Sequence, residues 1–262
     1  MLSLSDIVNV KVGIGRGVFE APGATVIGGK KPSFNLEILK LFANGEQGFW
    51  YDPNDLSMMF QDAAGTVPVT AAGQAVGLIR DKSGRNNHAY QTTSASRPIL
   101  RQNVTTGAYY LEFDGTDDFL QTSVALPFPA TAVAPFDFKS GSYIKCVLSA
   151  GVSGYLRSTE TAASVQSTSG SVSIAKKKVD VLLHELTGDS VNIRTNSDSI
   201  TMRDTDNKNP YIASNKYIGS FSDTHTILRA AMVLYGMVVI RKVLSTSEET
   251  EIRTHFNKRM GI

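Results

Sequence analysis

The stretch Leu111-Glu112-Phe113-Asp114-Gly115-Thr116-Asp117-Asp118-Phe119-Leu120 decides the fold class. Leu111 and Phe113 alternate with Glu112 in the period of two that a half-buried strand requires. Asp114-Gly115 is then a turn pair: glycine takes positive φ freely, and the carboxylates of Asp117 and Asp118 can accept backbone N–H bonds across the loop. Phe119 and Leu120 restart the strand. The unit reads as strand, tight turn, strand over 108–113 and 119–124.

Outward from it the same pattern recurs. Short apolar stretches between Gly, Asn, Asp and Pro signals predict further strands near 67–70, 76–80, 142–149, 154–157, 163–166, 171–175, 179–186, 190–195, 199–203, 216–220 and 230–240. Many short strands at even spacing, with no fixed-period repeat, are the mark of an all-β sandwich or barrel. Helices are few. A short connecting helix is expected over 33–44, capped by Ser33 and ended by Asn44-Gly45. Asp52-Pro53-Asn54-Asp55 predicts one helical turn before a strand at 58–61. At the other end Ser245-Thr246-Ser247-Glu248 is a capping box, and Ile252, Phe256 and Met260 fall on one stripe before Gly261. That helix is expected to lie on the outside of a sheet with its stripe in the core.

The composition agrees. Of 262 residues, 42% are hydrophobic and 19% charged, with Ser and Thr together numbering 48, which excludes disordered, collagen-like and coiled-coil chains. Lys and Arg number 26 against 24 acids, a net +2, so no global field would draw the chain to nucleic acid or anionic lipid. Cys146 is the sole cysteine, which excludes an intrachain disulfide and a multi-cysteine zinc site and suits a reducing compartment. No secretory signal is expected, and the longest apolar run, Ala230 to Ile240, is too short to span a membrane.

The first forty residues differ in character. Ile7-Val8-Asn9-Val10-Lys11-Val12 alternates like a strand, then Gly13, Gly15, Gly17, Gly23, Gly28 and Gly29 interrupt everything to Pro32. Such an arm cannot bury itself, so Ile7, Val8, Val10, Val12 and Phe19 are the expected docking residues, on the chain's own body or on a neighbour. The expected division is residues 1–40 for docking and 41–262 for the sandwich.

The body resembles a known family through Trp50-Tyr51-Asp52-Pro53-Asn54-Asp55-Leu56, Phe60-Gln61-Asp62, Gly73-Gln74-Ala75-Val76-Gly77, Asp81-Lys82-Ser83-Gly84-Arg85-Asn86-Asn87-His88-Ala89, Ala95-Ser96-Arg97-Pro98 and the stretch 111–120. The order and spacing are similar to the laminin-G-like, concanavalin-A-type domains of tailed-bacteriophage and prophage virion proteins. Lys216-Tyr217-Ile218-Gly219-Ser220, Leu234-Tyr235-Gly236 and the capped final helix continue the likeness to residue 262. The resemblance implies a jelly-roll sandwich in a structural capsid-decoration, neck or tail component. It would be assembled into the virion in the host bacterial cytoplasm, contacting other virion proteins and forming a homo-oligomer. The alternative it carries is a carbohydrate-binding module for host-surface glycan.

Several residues invite chemistry. Asp114, Asp117 and Asp118 could hold calcium, as laminin-G-like domains sometimes do; the competing expectation is that they bond to backbone. Trp50 and Tyr51 could stack on a sugar ring or instead anchor the entry of the domain. Glu112-x-Asp114-x-x-Asp117 resembles the Glu-x-Asp-x-x-Glu strand of sandwich glycosidases, but it ends in Asp, and Gly115-Thr116 turns the chain where the strand should continue. No enzyme activity is therefore expected. Gly13-Ile14-Gly15-Arg16-Gly17-Val18 lacks the third glycine and βαβ context of a dinucleotide site. His88, His184, His225 and His255 show no metal-ligand spacing. Lys176-Lys177-Lys178 reads as a solvated turn.

Overall fold

The structure is a computed structural model describing residues 34–126, 129–138, 145–149, 155–158, 162–167, 170–175, 179–186, 190–196, 199–203, 215–220 and 229–262. The docking residues Ile7, Val8, Val10, Val12 and Phe19, the Lys176–Lys178 run and His225 lie outside these. The chain divides into two compact units, residues 1–32 and Ser33–Ile262. Helix α1 (Phe34–Leu41) buries Ile38 and Leu41 in an apolar cluster with Trp50, Val238 and Ile252, which makes it part of the body.

The strands follow in chain order: β1 (Gly48–Tyr51), β2 (Met59–Phe60), β3 (Leu78–Ile79), β4 (Ala89–Tyr90), β5 (Ile99–Gln102) and β6 (Tyr109–Asp114). Then come β7 (Leu120–Ser123), β8 (Ala130–Phe138), β9 (Lys145–Ser149), β10 (Tyr155–Ser158), β11 (Ala162–Ser167) and β12 (Gly170–Ala175). Last are β13 (Val179–Leu186), β14 (Ser190–Arg194), β15 (Ser199–Arg203), β16 (Asn215–Ile218), β17 (Ala231–Leu234), β18 (Met237–Ile240) and helix α2 (Thr246–Met260). Among the described residues they form two nine-stranded antiparallel sheets. The first runs β15-β14-β13-β8-β17-β6-β5, with β18 also on β8 and β1 on β18; the second runs β12-β11-β10-β9-β16-β7-β4-β3-β2.

The first sheet is covered on both faces. Phe49 and Tyr51, Ala132 and Ala134, Met237 and Val239 point into the core between the sheets, while Trp50, Val133, Val238 and Ile240 pack under α1 and α2. Trp50 and Tyr51 are 0% and 2% exposed, so neither offers a ring face to a sugar. Strand parity places them as anchors on opposite faces of β1.

The run 230–240 is two strands. Leu234 sits opposite Phe136 and Val238 opposite Val133, so three residues of one chain face two of the other, and the ladder breaks at Tyr235-Gly236-Met237. Pro135 of β8 lies opposite this break, where its carbonyl accepts from Tyr235 N at 3.0 Å. A strand residue points its N–H and C=O the same way, so the donor that proline lacks would have met the irregular part of the ladder.

Helix α2 follows its signals. Ser245 Oγ accepts from Glu248 N, the Glu248 carboxylate accepts from Ser245 N, and Gly261 ends the helix at φ 79°. Ile252, Phe256 and Met260 are buried against the first sheet. The expected helical turn at 52–55 is instead a 3-10 turn at Leu56–Met58, and of the expected strand 67–70 a single bridge, Pro68 to Phe60, forms. No described helix is long and apolar enough to cross a membrane.

Candidate functional site

The outer face of the second sheet carries a cleft assembled from residues far apart in sequence. Register sets Phe60 beside Leu78, Leu78 beside Tyr90, Tyr90 beside Gln121 and Gln121 beside Tyr217, a row across five strands. Their neighbours Met59, Ile79, Ala89, Leu120 and Ile218 lie in the inter-sheet core, so the row faces outward. Two places along, the same register aligns Met58, Arg80, His88 and Ser123 as the next row, and these line a cleft of about 730 Å³. Ala63 and Ala64 form one wall, and Asn86 and Asn87 another.

The second wall is the loop 81–88, and Asp81 holds it in place. Buried Asp81 accepts Trp50 N and Ser83 N on Oδ1 and Ser83 Oγ and Asn87 N on Oδ2. Arg85 donates to the carbonyls of Phe42 and Glu46, and Asn87 Nδ2 donates to Gly48 O. The motif is thus a clamp joining the turn after α1, β1 and the cleft. Asn86 takes φ 61°, a left-handed conformation that asparagine tolerates better than most residues. His88 Nδ1 accepts Asp81 N at 3.1 Å, so the neutral ring carries its proton on Nε2.

The polar groups of the cleft fall into two classes. Asp81 is fully engaged in structure. Arg80, by contrast, is exposed, and its guanidinium lies 4.4 Å from the Phe60 ring centroid with no ion pair or hydrogen bond among the described residues. The side chains of Asn86, Tyr90 and Ser123 likewise have no hydrogen-bond partner among the described residues. Thr122, which lines the cleft, and Tyr51, buried in the core, both donate to Asn87 O, and burial raises the Tyr51 hydroxyl well above its ordinary pKa, so it stays a neutral donor.

The acidic loop lies elsewhere. Asp114, Asp117 and Asp118 bring one carboxylate oxygen each within 4.8 Å of one another. Asp114 Oδ1 accepts Thr116 N at 2.7 Å and the Asp117 and Asp118 amides at longer range, Asp118 Oδ2 accepts Asp114 N, and Asp117 Oδ2 accepts Ser96 Oγ. Backbone and hydroxyl donors thus occupy half the carboxylate oxygens. The remaining three could serve a hard cation, with carbonyls and water supplying the rest of the six to eight ligands that calcium takes. Burial pushes the Asp118 carboxyl up to about 7, and the charges of Asp114 and Asp117 add to the rise. Glu112, on the outer face of the first sheet, is gripped by Arg101 Nε at 2.5 Å.

A buried ionic cluster ties α2 to β1. Arg259 Nη1 and Nη2 reach Asp52 at 2.7 and 3.3 Å, and Lys82 bridges Asp52 and Asp55 while lying 4.5 Å from the Trp50 ring centroid. Burial alone would raise the Asp52 carboxyl; Arg259 and Lys82 outweigh it and hold the group below its ordinary value. Beside this cluster, burial and then the Arg259 charge push His255 down to about 3.

Arg80, Tyr90 and Ser123 were not singled out in the sequence because each comes from a different strand and no motif joins them. The available signal was parity: an outward-facing aromatic at Tyr90 between buried Ala89 and Gln91.

No family model matches the chain, and no curated protein matches it in sequence. Solved structures do. A GH54 α-L-arabinofuranosidase soaked with a cyclic sulfate inhibitor is similar with a TM-score of 0.60 at 12% identity, covering 85% of this chain and 65% of that one. An arabinofuranosidase complexed with arabinofuranosyl-alpha-1,2-xylobiose gives 0.58 at 12% identity with the same coverage. Trypanosoma rangeli sialidase in complex with sialic acid gives 0.53 at 12% identity, covering 83% of this chain and 33% of that one. The chain therefore spans about two thirds of the arabinofuranosidases and one third of the sialidase. At these identities the likeness shows the fold, a two-sheet antiparallel sandwich.

Proposed function

We propose that the chain is a glycan-binding β-sandwich that holds a sugar chain in the cleft on the outer face of its second sheet. The observation that carries this is the cleft itself, where a half-buried tyrosine stands among side-chain donors and acceptors that have no partner within the fold. Sugars are bound by such a combination of an apolar ring and a few placed polar groups. The similar sandwiches belong to proteins whose names and ligands concern glycans, which supports the reading. We read the chain as a binder and not a hydrolase, since Glu112 is paired with Arg101 and Asp114 is engaged by backbone amides. The test is binding to immobilised bacterial surface polysaccharides. Ser123→Trp, which fills the cleft from an exposed position, should abolish retention while leaving the melting temperature unchanged. Retention unaffected by that variant would move the site elsewhere.

A second reading concerns setting. The likeness of residues 41–262 to laminin-G-like, concanavalin-A-type jelly rolls supports a structural component of a tailed-phage virion, in decoration, neck or tail. Residues 1–32 would dock it on other virion proteins or on further copies of itself. The two readings are compatible, because a virion component can also be the one that touches host glycan.

A further inference from the structure

The cleft carries a charge that its own fold does not use. Among the described residues lining it, Asp81 is the one acid, and four donors already occupy its two oxygens. Arg80 is the one Lys or Arg, and it has no anionic partner. The contrast with Arg229 is informative. Arg229 also lies over a ring, 4.5 Å from the Phe119 centroid, but it is buried and donates to Asp117 O at 3.1 Å, so its guanidinium is spent on structure. The Arg80 guanidinium lies over the Phe60 ring and is otherwise open to the cleft.

A guanidinium lying over a ring keeps N–H edges free for other partners, and those edges form a fork that matches a planar carboxylate with two parallel bonds. His88 stands in the same row with Nε2–H as a donor, and Tyr90 and Ser123 flank it with hydroxyls. The site therefore presents hydrogen-bonding groups around one positive charge, with no free acid among the described lining residues.

Resting on the glycan-binding reading above, we infer that the ligand is an acidic glycan, a sugar chain bearing carboxylates, one of which is received by Arg80. A neutral glycan would leave the guanidinium without a counter-charge in a cleft it partly closes, and a sulfated one would offer the same charge without the planar match.

The test uses the full chain and a panel of hexuronate oligosaccharides, their methyl esters, neutral oligosaccharides and sulfated neutral oligosaccharides, with affinity measured by calorimetry. The esters remove the charge and keep the sugar. The acid is expected to bind at least about tenfold more tightly than its ester, as a charged hydrogen bond warrants. Arg80→Gln should bring the acid to the level of the ester, and Arg80→Lys should restore only part of the difference. Equal binding of acid and ester, a ratio unchanged in Arg80→Gln, or preference for neutral or sulfated chains would overturn the inference while leaving glycan binding intact. Failure of every glycan to bind would overturn both.

Discussion

Asp81 shows how one side chain can organise a site it does not chemically serve. Its carboxylate fixes Trp50 N, Ser83 and Asn87 at once, so Asp81→Ala leaves buried donors without an acceptor. The expected cost is at least about 3 kcal/mol in urea unfolding, given the strength of hydrogen bonds to charged groups; a loss under about 1 kcal/mol would mean that water replaces the carboxylate. Two other residues should oppose each other in acid. His255 binds a proton near 6.5 when unfolded and only near 3 when folded, so its contribution is full above 6.5 and is lost as the pH falls toward 3. Asp118 titrates at about 7 when folded against 3.8 unfolded, so its contribution is full below 3.8 and is lost as the pH rises toward 7. Between about 4 and 6.5 the two slopes cancel. His255→Gln should uncover stability that falls with rising pH, and Asp118→Asn stability that falls with falling pH, each by at most about 1.4 kcal/mol per pH unit relative to wild type. Parallel curves for wild type and variants would show that neither group is shifted.

At the scale of elements, α2 is the sharpest case. Phe256 is fully buried between the helix and the first sheet, and Phe256→Ala should cost about 3–5 kcal/mol. Lys258, exposed and off the stripe, should cost under about 0.5 kcal/mol when replaced by alanine. Equal effects in thermal melts would mean that the helix is not held by that stripe. Its capping box and stripe were legible because they are local, and the strands Val179–Leu186 and Ser199–Arg203 were read to the residue for the same reason. β8 was not. Its inward residues are three alanines and a phenylalanine, Val133 on the other face is also buried, and Pro135 reads as a breaker, so neither alternation nor propensity marks the strand to which β13, β17 and β18 all pair. β1 escaped notice because Phe49, Trp50 and Tyr51 are buried on both faces and show no polar alternation. The candidate cleft was illegible at this scale too, since register between β3, β4 and β7, and not sequence, brings Arg80, Tyr90 and Ser123 together.

For the whole molecule, the division at Pro32 and Ser33 predicts that removing residues 1–32 leaves a folded body, because α1 and both sheets lie on the far side of it. Circular dichroism and melting should match the full chain, and under the proposed docking role incorporation into a virion should be lost; normal incorporation would end that role. The antiparallel register of β1 with β18 has a further consequence, one that concerns time. Gly48–Tyr51 leaves the ribosome long before Met237–Ile240 exists, and Arg259, the ionic partner of Asp52, comes later still. At about 5–20 residues per second the wait is on the order of 10–40 s. During that interval Phe49, Trp50 and Tyr51 have no sheet to enter, so the nascent chain carries a sticky aromatic segment that must be kept from its neighbours until synthesis is nearly done. Production of the protein should therefore respond to holdase chaperones and to slower translation at low temperature more than its final stability would suggest.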